Sequence, residues 1–521
     1  MRRPGLDAAV LICGACTMVL ELVGSRLLAP YFGTSVFVWT ALIGVVLAAL
    51  SAGYWAGGRL ADRCPDPRLL AGAIFLTGIY CAGLALLSDV LLTFVQHQFA
   101  DLRLGSVISA GLLFGPPSVC LGLVVPYAVR LRLDAVEHGG ATAGRLYALS
   151  TWGSIAGTFL TGFVLLAHFG HTVILWCVAA ALGAASLLVW SAGGRAARIV
   201  LVAFALGGAG ASEALGAVWR GPAFFDVDTA YNRIWIYDAF GGQGADPVRV
   251  MQINDEMSSK MFTARGGLAD GYTPYYHLAR HFKPDTGRVL MIGGAGYSYP
   301  KDFLRTRSGG RIDVVEIDPG VTALARRHFA LADDPRLGIF HEDARTFLNR
   351  GHAERYDAIL GDAFMSYSIP FQLVTVEAAR RMHALLADDG VLIVNVIGSL
   401  EGPAGRLPRA FIATLKTVFP QVHVFAVRDP DDGALVQNLI LVALKSSERP
   451  LFYSRDTELD RYLHHVWIRE IPADVPVLTD DRAPVEELLS PVVSVLRRGS
   501  SNPWIRRWKN LVSAGRKKRA A

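Results

Sequence analysis

Acids at the ends of apolar runs are the first residues in this chain able to do chemistry. Val289-Leu-Met-Ile runs into the glycine cluster Gly293-Gly-Ala-Gly296, and Asp313-Val-Val closes on Glu316, with Asp318 two residues on. Asp343-Ala344 and Asp362 follow two further apolar runs. Glycines let a ligand approach the backbone, and a carboxylate at the next strand tip can hold a pair of ribose hydroxyls. Gly293, Gly294, Gly296, Glu316, Asp318, Asp343 and Ala344 therefore read as a nucleoside site, with Asp343 facing an adenine amino group. The pattern Gly-x-Gly-x-x-Gly is not satisfied, because Ser298 follows Tyr297. The weight rests on four successive strand tips, and each carboxylate there also suits an N-cap of the next helix.

Asp362 has a different chemistry open to it. It ends Tyr356-Asp-Ala-Ile-Leu-Gly and precedes Met365-Ser-Tyr-Ser-Ile-Pro370, a loop ill-suited to starting a helix at once. A carboxylate there can take the proton from an amine that attacks a sulfonium-activated carbon, or hold an ammonium by charge-assisted hydrogen bonds. Tyr275, Tyr276 and His277 lie just ahead of the sheet and can be delivered to the same rim. Tyr276 is assigned with Asp362 to catalysis, and His277 and Tyr367 with Asp362 to the acceptor substrate. No metal is expected.

Presenting these tips together requires a parallel sheet. Strand signals at 288–293, 312–317, 338–341, 356–361, 390–396, 421–428 and 438–444 alternate with helical patterns at 299–306, 320–330, 343–350, 372–387 and 406–418. Such alternation implies a doubly wound α/β sheet with helices on both faces. Asp429-Pro-Asp-Asp-Gly433 is too short for a crossover helix, so the last two strands are expected to pair antiparallel. Seven strands closing in a hairpin is the layout of S-adenosylmethionine-type transferases. Upstream, residues 228–237 and 248–254 alternate in short segments split by Gly241-Gly-Gln-Gly244, which reads as a small β-hairpin region.

The first part of the chain is a different material. Mean hydropathy is +0.35, and 52% of residues are hydrophobic against 18% charged, too apolar for an ordinary soluble enzyme. Apolar runs at about 7–28, 36–57, 69–92, 104–129, 146–167, 172–192 and 199–218 meet the length of about 20 residues needed to cross a bilayer. The first reads as an anchor and not a removable signal, since Met1-Arg-Arg is a short leader with no small-residue cleavage site after it. Arg2 and Arg3, then Arg59, Arg63 and Arg68, then Arg130, Arg132 and Arg145, then Arg195 and Arg198 fall in alternate loops, which places the N-terminus in the cytoplasm. Seven spans would put the sheet outside. The seventh run contains Gly207-Gly-Ala-Gly210 and Glu213, and is expected to lie in the interface or re-enter, leaving the sheet domain cytoplasmic in a multi-pass inner-membrane protein. Glu21 and Arg26 are expected to pair with each other or with a neighbour. Gly153, Gly157 and Gly162, with Ser154 and Thr158, form a small-residue face for close helix packing.

The net charge of +6 does not point to nucleic acid, because the basic residues sit in short loops and the tail. After Glu487 there are nine Lys or Arg and no acid, interleaved with Trp504 and Trp508, which suits an anionic membrane surface or a solubilising tail.

Residues 226 to about 445 resemble the spermidine synthase (polyamine aminopropyltransferase) family. The resemblance is carried by Asp228-x-x-Tyr231-x-x-Ile234, Tyr276-His277, the glycine turn, Val315-Glu316-Ile317-Asp318-Pro319, Glu342-Asp343-Ala344-Arg345-x-Phe347-Leu348 and Tyr356-Asp357-x-Ile359-x-x-Asp362. Membrane spans ahead of this region, and Leu478-Thr-Asp-Asp-x-Ala-Pro-Val-Glu486 after it, resemble the membrane-fused branch. The resemblance implies decarboxylated S-adenosylmethionine as donor, Asp362 as proton acceptor, and Glu316 and Asp343 on the nucleoside. Three family acids are replaced: Gly296 stands for the aspartate that selects the donor's amine, Met365 for the second acid after strand four, and Leu278 for the acid after Tyr-His.

The expected organisation is a transmembrane helical domain over 1–220, a β-hairpin domain over 221–285, the nucleotide-binding domain over 286–450 and an extension with a basic tail over 451–521. The leading function is aminopropyl transfer to an amine such as putrescine. The alternatives are methyl or alkyl transfer from S-adenosylmethionine, and a non-catalytic transporter or sensor of polyamines or nucleosides. The partners are a small-molecule amine and the lipid bilayer, with room for a homo-oligomer.

Overall fold

A computed structural model describes residues 4–99, 101–133, 139–190, 196, 198–208, 224–239, 246–254, 256–265, 267–350, 355–363 and 369–499. The chain divides into two compact units, the first comprising 1–222, 227–233 and 501–521 and the second 223–226 and 234–500.

The first unit contains six helices long and apolar enough to cross a membrane: Gly5–Phe32, Val36–Arg63, Pro67–Gln98, Leu102–Arg132, Gly139–His168 and His171–Val189. Six such helices occur among the described residues; of the last apolar run, set aside in the sequence as interfacial or re-entrant, Arg198–Gly208 is helical and the rest lies outside the described residues. The first and fifth helices meet backbone to backbone through Gly153, Ser154 and Gly157 of the small-residue face, whereas a Cβ at Gly162 would meet nothing within 4 Å and Thr158 bonds the Ser154 carbonyl of its own helix. A Cβ at Gly153 would lie 2.0 Å from the Leu11 carbonyl oxygen, and one at Gly157 2.4 Å from that of Ala15. Ser154 Oγ donates across the same seam to the Gly14 carbonyl at 3.2 Å. Arg26 donates to the carbonyls of Thr229 and Ala230. Asp89, which the sequence reading passed over, accepts a two-pronged bond from Arg233 at 2.8 and 3.0 Å and the Tyr31 hydroxyl at 2.9 Å.

Ahead of the main sheet lies a four-stranded sheet in the order β1-β2-β3-β4, where β1 is Phe224–Asp228, β2 Arg233–Ala239, β3 Val248–Ile253 and β4 Glu256–Phe262, with β3 antiparallel to β2 and β4. The main sheet follows: β5 Arg288–Ile292, β6 Arg311–Val315, β7 Leu337–Phe340, β8 Tyr356–Gly361, β9 Leu386–Gly398, β10 Gln421–Ala426 and β11 Gln437–Leu444. Its order is β7-β6-β5-β8-β9-β11-β10. Strands β5 to β9 run parallel, while β11 is antiparallel to both β9 and β10. The short connection after β10 forces this reversal. Val289, Leu290, Met291 and Ile292 are all buried, the continuous apolar run that a strand covered on both faces requires. Leu478, Val485, Leu489 and Val492, from the chain beyond β11, complete the same core as Leu392, Leu439 and Leu441.

The strand order reverses direction between β5 and β8. That switch point opens a crevice at the carboxyl ends of the strands. The Gly293 turn stands on one side of it and Asp362 on the other.

Candidate active site

The turn after β5 is built from backbone that few residues tolerate. Gly293 has φ +95°, and Ala295 and Tyr297 have φ 43° and 53°. A Cβ at Gly293 would fall 2.4 Å from the carbonyl oxygen of Asp362, so only glycine lets the two strand tips touch. Asp362 N–H donates to the Ile292 carbonyl at 2.8 Å, which ties the tips together. Tyr297 holds the turn from beneath. Its ring is fully buried, and its hydroxyl bonds the Thr322 hydroxyl at 2.7 Å.

Glu316 locks this turn from the neighbouring strand. Oε2 accepts from Gly294 N–H at 2.9 Å and Ala295 N–H at 3.3 Å, and Oε1 accepts from Asp318 N–H at 3.0 Å. Burial pushes its carboxyl above the ordinary range, against the lowering pull of those three donors. Oε1, with one backbone donor, keeps a lone pair for a ligand hydroxyl, so the group fits a ribose. Asp318 turns away from the crevice: it is 1% exposed and caps the helix Pro319–His328 through Gly320 N–H at 2.9 Å. Asp343 caps the helix Ala344–Asn349, with both bonds from Thr346 falling on Oδ1 at 2.9 and 3.3 Å. Ile317 and Phe340, at the tips of β6 and β7, are 40% and 36% exposed, and Glu316 N–H donates to the Phe340 carbonyl at 3.0 Å. These apolar faces beside Glu316 suit a purine ring. Reading acids alone passes over them, although Ile317 sits between two acids.

Asp362 is caged by donors. Tyr272 hydroxyl donates to Oδ2 at 3.1 Å and Asn395 Nδ2 to Oδ1 at 3.2 Å. Asn395 is held in turn by Asn438 Nδ2, which donates to its Oδ1 at 2.9 Å. Burial pushes the Asp362 carboxyl up to about 6, with the Asn395 and Tyr272 donors pulling the other way. A carboxyl there is ionised at neutral pH and still basic enough to accept a proton. Tyr272 and Asn395 were not singled out from the sequence. Asn395 had a signal: it is the lone polar residue in the buried run Val391–Ile397.

The aromatic cluster ahead of the sheet divides three ways. Tyr276 is fully buried, and its hydroxyl donates to the Gly361 carbonyl at 3.3 Å, one residue from Asp362. Tyr275 points elsewhere, its hydroxyl 3.4 Å from the Val427 carbonyl. His277 is engaged by acids of its own, with Nε2 2.9 Å from Asp302 and Nδ1 3.3 Å from Glu458. Met365 and Tyr367 lie outside the described residues. No cluster of His, Cys, Asp or Glu with metal-ligand geometry occurs among the described residues.

At Gly296 the structure explains one replaced family acid. A Cβ there would lie 2.6 Å from Ser259 Oγ and 2.9 Å from the Phe329 ring. The place is filled by neighbours, and an aspartate would not fit without moving them.

A sheet in this order, with a glycine turn and acids at consecutive tips and an antiparallel closing strand, is the Rossmann-like fold of nucleoside-dependent transferases. Residues 274–430 match the family model described as spermine/spermidine synthase domain. Residues 274–430 thus resemble a spermidine synthase domain, and the chain, with six long apolar helices ahead of that region among the described residues, is similar to polyamine aminopropyltransferases. Polyamine aminopropyltransferase 1 of Streptomyces coelicolor is 24% identical over 488 residues, covering 87% of this chain and 86% of that protein. A polyamine aminopropyltransferase of Vibrio vulnificus is 29% identical over 174 residues, covering 32% of this chain and 56% of its own length. An N-terminal histidine N-methyltransferase of Emericella nidulans is 33% identical over 176 residues, 33% of this chain and 30% of that one. The chain thus spans about half or less of the length of two of these relatives.

Proposed function

We propose that this protein is a membrane-bound aminopropyltransferase-like enzyme that moves an aminopropyl group from decarboxylated S-adenosylmethionine to an amine such as putrescine. The reading is carried by one observation: the Asp362 backbone packs directly against the Gly293 turn, while Tyr272 and Asn395 fix the oxygens of its carboxylate. The donor's nucleoside is held by the Gly293–Gly296 backbone, Glu316 and Asp343. The amine nitrogen attacks the carbon beside the sulfonium, the C–S bond breaks, and its electron pair returns to sulfur to release methylthioadenosine. Asp362 takes the proton from the nitrogen, and Tyr276 supports the backbone that carries Asp362. The helices anchor the enzyme in the inner membrane with the sheet domain in the cytoplasm, where an S-adenosyl donor is present. Purified full-length protein given labelled donor and putrescine is expected to release methylthioadenosine, and Asp362→Asn to abolish the release. No product with any amine would overturn the proposal.

A second reading is favoured by the closed position at Gly296. Without an acid there, the donor's amine is not selected, and S-adenosylmethionine with its carboxylate intact becomes an acceptable donor for methyl or alkyl transfer. The Emericella relative, named for methyl transfer to a nitrogen, is consistent with that chemistry. Calorimetric titration of both donors into the same protein separates the readings.

A further inference from the structure

A cleft of about 350 Å³ lies in the second unit, lined by Asp270, Gly271, Tyr275, Arg461, Tyr462 and His465 among others. Its charge is opposite to what a diamine needs. Asp270 is buried and already neutralised, with Lys260 Nζ on one oxygen at 2.6 Å and Lys260 N–H on the other at 2.9 Å. Arg461 has no carboxylate partner among the described residues. Its guanidinium donates to the Tyr462 hydroxyl at 3.2 Å and lies 5.1 Å over the same ring. Tyr275 and Tyr462 stand with ring centroids 4.6 Å apart, and His465 closes the group at 5.9 Å from Tyr275. His465 Nδ1 donates to the Ala426 carbonyl at 2.7 Å, so its other nitrogen is left for a ligand. A guanidinium backed by aromatic rings, with the nearby acid spent on lysine, is a carboxylate-binding arrangement.

The cleft reaches the residues around Asp362 through the chain itself. Gly271 and Pro274 line it, and between them Tyr272 turns its hydroxyl to Asp362. The wall that carries Arg461 is the helix Thr457–Leu463, pinned where Glu458 meets His277, Arg280 and the Tyr462 hydroxyl.

We propose that this cleft holds the carboxylate of the acceptor, and that the preferred acceptor is therefore an amino acid over the matching plain diamine. The proposal rests on the reading of Asp362 as proton acceptor. Arg461 binds the carboxylate, the Tyr275 and Tyr462 rings, packed on each other, offer one aromatic wall to the aliphatic chain, and the amine is presented to the donor carbon. The transfer balances as before: the N–C bond forms, the C–S bond breaks with its pair going to sulfur, and the proton passes to Asp362. Three replaced family acids, at Gly296, Met365 and Leu278, leave a doubly charged diamine with few partners, whereas an amino acid brings its own anion to Arg461.

Ornithine and putrescine differ only by that carboxylate, as do lysine and cadaverine. With full-length protein in detergent, each amine is titrated by calorimetry, and turnover is followed as methylthioadenosine or adenosylhomocysteine release. Ornithine or lysine is expected to bind at least about tenfold more tightly than its decarboxylated counterpart, from one charge-assisted contact. Arg461→Gln should equalise each pair, and Arg461→Lys should restore part of the preference. Equal binding within the pairs, no binding of any of the four, or a preference that survives Arg461→Gln overturns the proposal. Amino-acid preference in calorimetry without turnover on either donor would instead overturn the transferase reading and leave the cleft assignment standing.

Discussion

Replacing Asp362 by Asn should inactivate the protein and stabilise it at the same time. The carboxyl is held up to about 6 by burial, against an ordinary value of 3.8. The folded protein keeps this proton to a higher pH than the unfolded chain does. Between about pH 4 and 6 the folded state binds the extra proton, so this group's contribution to stability falls as pH rises through that window and then levels. The difference corresponds to roughly 3 kcal/mol of destabilisation at neutral pH. An Asn side chain is nearly isosteric and carries no charge. Its carbonyl can accept from Asn395, and its amide can donate to the Tyr272 hydroxyl oxygen, so the cage survives. Allowing for imperfect bonds, a gain of about 2 kcal/mol is expected, or about 4–8 °C in melting temperature for a domain of this size. The assay is thermal melting of the full chain in detergent at pH 4, 6 and 8, beside release of methylthioadenosine. The variant should match the wild type at pH 4, exceed it increasingly to pH 6, and stay above it at pH 8 while making no product. A variant that melts lower at pH 8, or whose advantage does not grow between pH 4 and 6, would refute the account of a strained, buried carboxylate.

Three other substitutions probe the same site from different sides. Tyr272→Phe removes a hydrogen bond to the ionised form of Asp362. The acid-side inflection of kcat/KM, expected near pH 6 in the wild type if Asp362 is the base, should move up by about one pH unit; a profile that stays put contradicts the cage. Gly293→Ala puts a methyl group 2.4 Å from the Asp362 carbonyl at a backbone φ of +95°. It should cost at least about 2 kcal/mol in stability and weaken donor binding measured by calorimetry. Glu316→Gln turns an amide N–H₂ against one of the three backbone donors it now accepts. Affinity for methylthioadenosine should fall at least tenfold, with a stability loss of about 1–3 kcal/mol by thermal melting.

The strand tips were legible because two local rules coincide there. An apolar run of four or five residues followed by glycine or an acid marks both the end of a buried strand and the rim of a ligand site, so Gly293, Glu316, Asp343 and Asp362 could be placed in order. The antiparallel ending followed from the few residues between β10 and β11. Side-chain direction was not legible. Tyr275, Tyr276 and His277 are consecutive, yet they face Val427, Gly361 and Asp302 respectively, because a 3-10 turn over Thr273–His277 fans them apart. Tyr272 and Asn395 reach Asp362 from segments 90 and 33 residues away, a closeness that only the folded sheet creates.

The link from Asn438 to Asn395 to Asp362 also orders events in time. The glycine turn, Glu316, Asp343 and Asp362 all leave the ribosome before Asn438, which sits on the last strand to enter the sheet. A nascent chain can assemble its nucleoside crevice while β11 is still unmade, but Asn395 has no anchor until β11 inserts between β9 and β10. On the proposed reading the Asp362 carboxylate is the last part of the site to be set, and a chain cut short before β11 would lack the Asn438 anchor that holds Asn395 against it.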